Sequence, residues 1–156
     1  MSGGPLPADV YLQGIASLPL VSIDLIVRNA RGEVLVGLRR NEPARDTWFV
    51  PGGAIRKNET LDTAFARISA AELGRSCARR DARLLGVYEH FYAGNFMQVP
   101  GIGTHYVVLP HELDIATIAD LPATLPQQQH GSYRWMTAFE LLEHPQVHEY
   151  TRAYFR

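Results

Sequence analysis

Val50-Pro51-Gly52-Gly53-Ala54-Ile55-Arg56-Lys57-Asn58-Glu59, with the helix it opens as far as Glu72-Leu73-Gly74, decides how this chain folds. Two glycines after a short apolar strand form a loop that lets backbone approach a ligand closely, because no Cβ intervenes. Asn58 is the expected N-cap of the helix. Leu61, Phe65 and Ile68 recur at helical spacing, and the next residue on that stripe is Glu72. A carboxylate there faces inward and lies in the last turn, where the helix dipole disfavours negative charge. It needs a cation, and the stripe carries no lysine or arginine, so a metal ion is the reading. The alternative at this stage is an ordinary exposed glutamate. Gly74 suits the helix C-terminus.

Outward from this stretch, residues 7–18 are a candidate amphipathic helix, with Val10, Tyr11, Ile15 and Leu18 as its apolar members. Leu20–Arg28 alternates as a strand does, with Val21, Ile23, Leu25 and Val27 on one face and Asp24 on the other. A turn at 29–32 leads to a second strand over 33–38. Trp48 to Val50 is a short buried strand. Residues 75–83 are basic and irregular, 84–92 and 104–110 are two strands, and 114–128 reads as loop. Residues 133–136 form a last strand, followed by a helix boxed by Thr137 and Glu140. Mixed strands with two or three helices indicate an α/β sandwich. Residues 1–18 form a lead with a short helix, and 19–156 a single domain.

The composition is that of an ordinary globular protein, 46% hydrophobic and 20% charged. A formal net charge of −1 gives no general attraction to nucleic acid, so phosphate chemistry must use local arginines. One cysteine, Cys77, excludes an intrachain disulfide and fits a reducing cytoplasm. The sequence shows neither a signal peptide nor an apolar run long enough to span a bilayer, so no membrane partner is expected.

Gly53, Glu59, Arg67, Glu72 and Gly74 fall at the steps of the Nudix hydrolase signature, which this chain resembles. Ordinary Nudix enzymes have glutamates where this chain has Ile68 and Ala71, and that loss is similar to the GDP-mannose mannosyl hydrolase branch. The likeness extends over 19–24, Gly37-Leu38-Arg39, 48–53, 104–109 and Gln129-His130 with Tyr133-Arg134-Trp135. The resemblance implies a mixed β-sheet between helices, a nucleotide-sugar substrate, and a homodimer. It also implies one magnesium, with manganese as a substitute, held by the Gly52 carbonyl, the Glu72 carboxylate and the Gln129 amide oxygen. His130 would be the general base, as its ordinary pKa suits; without the resemblance it reads as a surface histidine in a loop. Arg39 would pair with the diphosphate, or else belong to a solvated face. Asp24 would hydrogen-bond the sugar or orient a partner, or else sit exposed with Arg28. Tyr106 would contact the departing diphosphate, and His90 would bind substrate, although both also suit a core.

One departure stands out. The branch has an arginine directly after the two glycines, where this chain has Ala54. Arg56, two residues on, would point to the same side of an extended segment and partly replace it; Arg56→Ala would then lower turnover strongly. The activity implied is hydrolysis of GDP-mannose or GDP-glucose to GDP and hexose, by water attack at the anomeric carbon with inversion. Rival readings are a Nudix pyrophosphohydrolase and a non-catalytic nucleotide-sugar sensor.

Overall fold

A computed structural model describes residues 4–115, 121, 125, 126 and 130–156, with the backbone alone of residue 130. The central strand β1 (Leu20–Arg28) explains the architecture. From Ser22 to Val27 every residue is buried, because the strand is covered on both faces. It pairs in parallel with β7 (Thr104–Asp114) along its whole length, from Leu20↔Tyr106 to Arg28↔Asp114. Its other edge is divided. β4 (Gly52–Ala54) lies antiparallel to Ser22–Asp24, and β2 (Val34–Arg39) joins at Arg28↔Val34. β3 (Trp48–Phe49) and β8 (His130–Met136) pair with β2. β5 (Arg83–Leu84) and β6 (Tyr88–Tyr92) pair with successive parts of β7. The described strands form one mixed eight-stranded sheet.

The alternation along β1 divides the core. Ile23, Leu25 and Val27 pack with Phe65, Ile68 and Leu73 of α2 (Leu61–Leu73). On the opposite face, Ile26 joins Val34, Val36, Met136, Leu141 and Val147, next to α3 (Ala138–Glu143) and α4 (Glu149–Ala153). The mixed sheet between helices is the architecture expected, with four α-helices among the described residues rather than two or three. α1 (Ala8–Ser17) buries Ile15 and leaves Val10 exposed, as is Leu18 just beyond its end.

Several local expectations are corrected. Asn58 has φ 67 and does not cap α2; Thr60 does, its side chain accepting from the Thr63 N–H. Asn58 instead turns the chain so that Glu59 can fold back. The Gly52-Gly53 segment is a strand, not a loop, because β1 supplies its ladder. The run 84–92 breaks into β5 and β6, with Gly86 at φ 140 between them. His130 is the first residue of β8 rather than a loop residue. Glu72 is buried as the stripe requires, while Leu61 is substantially exposed at the start of its helix. Gly74 ends α2 in the left-handed conformation, and Thr137 and Glu140 close the capping box on α3.

Candidate active site

The glycines are fixed by what surrounds them. A Cβ on Gly52 would run into Asp24 Oδ1 and come within 2.6 Å of the Ile23 carbonyl oxygen. One on Gly53 would meet Ile68 Cγ1 at 3.2 Å. Ile68 is therefore core packed against the glycine strand, which is how an apolar residue occupies a position where the signature has an acid. Ala71 is exposed.

Gly52 lies opposite Asp24, between positions whose backbone groups bond to β1: Leu25 N–H to the Pro51 carbonyl, and Ile55 N–H to the Val21 carbonyl. In antiparallel pairing the intervening residue turns its N–H and C=O away from its partner. The Glu72 carboxylate accepts a hydrogen bond from the Gly52 backbone on that outer edge. The Gly52 carbonyl faces the same way.

Next to this edge a cleft of about 240 Å³ is lined by Asp24, Arg39, Gly52, Ala54, His90, Tyr92 and Tyr106, with Tyr11 of α1 and Phe96. Arg39 ends β2 and lies over the Phe49 ring at 5.9 Å. Its Nε is buried and has no hydrogen-bond partner among the described residues. The cation missing from the α2 stripe is thus supplied in part by β2, since Arg39 lowers the pKa of Glu72. Asp24 is buried, and Tyr154 donates to its Oδ2 at 2.5 Å. It is not paired with Arg28, which bonds Glu112.

Burial pushes the Asp24 carboxyl up to about 7, against the Tyr154 hydrogen bond and the Arg39 charge. Burial likewise raises Glu72 to about 7, opposed by Arg39 and the Gly52 backbone and assisted by Asp24. His90, buried beside His148, is lowered to about 4 and stays neutral. Burial also holds Tyr92 and Tyr106 far above the ordinary phenol range. Two buried carboxylates thus share one guanidinium. Ionising both leaves the site one positive charge short.

That shortfall, with a carboxylate and a backbone carbonyl on one edge, fits a hard divalent cation, which takes oxygen donors. Among the described residues no group of three or more His, Cys, Asp or Glu side chains gathers to hold a metal. A cation here would draw further ligands from substrate and water. Gln129, the third expected ligand, lies outside the described residues. So does the His130 side chain. The His130 backbone is paired with Arg39, because an extra residue in β8 shifts the register between Gly37↔Tyr133 and Arg39↔His130. Such bulges re-aim side chains beside active sites.

The structure therefore brings Asp24, Arg39, Gly52, Glu72, His90 and Tyr106 to one locality. Arg56 stands apart: its backbone N–H donates to Glu59, which accepts two bonds from the Arg67 guanidinium. Ala54, not Arg56, is on the cleft wall. Sequence reasoning missed Tyr154. The capped helix over 138–143 was legible, but α4 has only five residues and no periodic pattern to announce it.

Sheet, helix and glycine edge define a mixed α/β domain with a cleft lined by Asp24 and Arg39. The NUDIX domain family model matches residues 18–156. The low-salt glycan biosynthesis protein Agl8 of Haloferax volcanii is 43% identical over 111 residues, covering 70% of this chain and 68% of that protein. Among solved structures, a MutT NUDIX hydrolase from Burkholderia pseudomallei superposes with a TM-score of 0.67 at 24% identity, covering 89% of this chain and 97% of the other. The NUDIX domain of Shewanella oneidensis NrtR, crystallised with ADP ribose, gives 0.60 at 15% identity, covering 91% and 90%. This chain belongs to the Nudix family, and by class it is a Nudix hydrolase. No described helix is long and apolar enough to cross a membrane.

Proposed function

We propose that this protein is a magnesium-dependent hydrolase of nucleoside diphosphate sugars, with GDP-mannose or GDP-glucose as substrate and GDP and free hexose as products. The observation that carries the reading is Arg39 on the cleft wall, its buried Nε without a hydrogen-bond partner among the described residues and two carboxylates beside it. A diphosphate offers that guanidinium paired acceptors. The relative named for glycan biosynthesis fits a sugar-nucleotide substrate. An apolar Ile68 and a non-acidic Ala71 in α2 fit a mechanism in which water is not activated from that helix.

Magnesium, or manganese in its place, held by Gly52, Glu72 and Gln129, would supply positive charge where the diphosphate leaves. Arg39 binds and orients that group, and Tyr106 contacts it. Asp24 holds a hexose hydroxyl, and His90, neutral throughout the working range, completes the substrate wall. His130, next to Arg39 along the backbone, takes the proton from water as it attacks the anomeric carbon from the face opposite the leaving group. The carbon becomes oxocarbenium-like, and configuration inverts. Arg56 remains a substrate-binding candidate only from outside the cleft wall, so Arg56→Ala tests it. The working unit is a homodimer in the cytoplasm; light scattering tests the first part.

Hydrolysis in oxygen-18 water, with products weighed by mass spectrometry, tests the reaction. Label in the hexose is expected. Label in a phosphate product, with GMP and sugar phosphate formed, would instead make the protein a pyrophosphohydrolase.

A further inference from the structure

We infer that Tyr154 is a positioning residue: its hydroxyl fixes the Asp24 carboxyl, so the residue that caps the C-terminus of α4 sets the aim of a group on the central strand. The inference rests on the reading of Asp24 as the group facing the sugar.

An aspartate's terminal torsion is broad, so burial alone does not fix where its two oxygens point. Here Oδ2 accepts from the Tyr154 hydroxyl at 2.5 Å. Oδ1 is turned to Gly52, close enough to exclude a Cβ there. With one oxygen pinned, the other is committed to the glycine edge of the cleft.

The pin is itself held. Tyr154 meets Tyr88 edge-on at 4.9 Å, and its hydroxyl lies 3.4 Å from His90 Nε2. The His90 ring is stacked on Tyr150 at 4.2 Å and an interplanar angle of 3°. The Tyr150 hydroxyl accepts from the Phe91 N–H and donates to the Phe91 carbonyl, which ties α4 to β6. Tyr154 stands behind the cleft wall rather than on it, and so acts through Asp24. A tyrosine that merely filled space would need none of this alignment.

The test is a double-mutant cycle. Turnover is measured on whichever nucleoside diphosphate derivative the wild-type protein hydrolyses fastest. Tyr154→Phe is expected to lower kcat/KM about ten- to a hundredfold, with inhibition by the nucleoside diphosphate product changed less than about twofold. In an Asp24→Ala background the same substitution is expected to have less than about a twofold effect. An unchanged kcat/KM, or an equal fall in both backgrounds, overturns the inference. Thermal unfolding of the same four proteins needs no turnover: non-additive shifts are expected, and additive shifts overturn it as well. If the fastest substrate is not a nucleotide sugar, the proposed function fails while both arms still report on Tyr154.

Discussion

At the residue scale the site is governed by charge balance under burial. Asp24 has its pKa at about 7 in the folded protein, against about 4 for an ordinary aspartate. Between those values the folded state holds the extra proton, so the group's contribution to stability is full below about pH 4 and is lost as pH rises through 7. Asp24→Asn keeps an acceptor for Tyr154 and cannot ionise. It is expected to unfold on the order of 5 °C higher than wild type at pH 8. The gain should vanish at pH 4, as calorimetry in the absence of metal and nucleotide will show. Arg39 makes the complementary case. Arg39→Lys keeps the charge but loses the planar fork and the Nε donor, and kcat/KM should fall about a hundredfold in steady-state assays.

At the scale of elements, the glycine strand and its helix are latched by one ion pair. Arg67 on α2 reaches both Glu59 oxygens, at 2.6 and 2.9 Å, and the Ala54 carbonyl at 2.8 Å. Glu59 also receives the Arg56 N–H, so the segment between β4 and α2 is folded onto a side chain only 2% exposed. The Arg67 partnership lowers the Glu59 pKa. Glu59 therefore adds stability above its unfolded value, and that stability is lost as pH falls through the folded value. Arg67→Met leaves a carboxylate without its cation and is expected to cost about 3 kcal/mol at neutral pH, measured by urea unfolding. The effect should shrink in acid. These two signature residues hold the loop in shape and are not on the cleft wall, so the spacing marked them without making their task legible.

For the whole molecule, binding and folding are linked through the site. Magnesium with GDP near a hundred times its dissociation constant should raise Tm by roughly 5–10 °C. Chelation should remove most of that increase, and Glu72→Gln should make the shift insensitive to magnesium. A shift that survives both would place the nucleotide away from the α2 edge.

The local sequence determined the elements whose information is local: the alternation of β1, the buried stripe of α2 through Glu72, the left-handed stop at Gly74 and the box on α3. It also carried the family spacing, and with it Arg39, Gly52 and Asp24 as candidates. Periodicity and capping depend on neighbours within one or two turns, so they can be read along a line. Only the folded chain decided that the Gly52 strand needs β1 to exist, that the cation beside Glu72 comes from β2, and that Arg56 lies off the cleft wall while Arg67 secures its loop. Only the fold brought Tyr154 to Asp24 across 130 residues. Those contacts are set by how the layers stack, and no local pattern records which distant side chain will fill a given space.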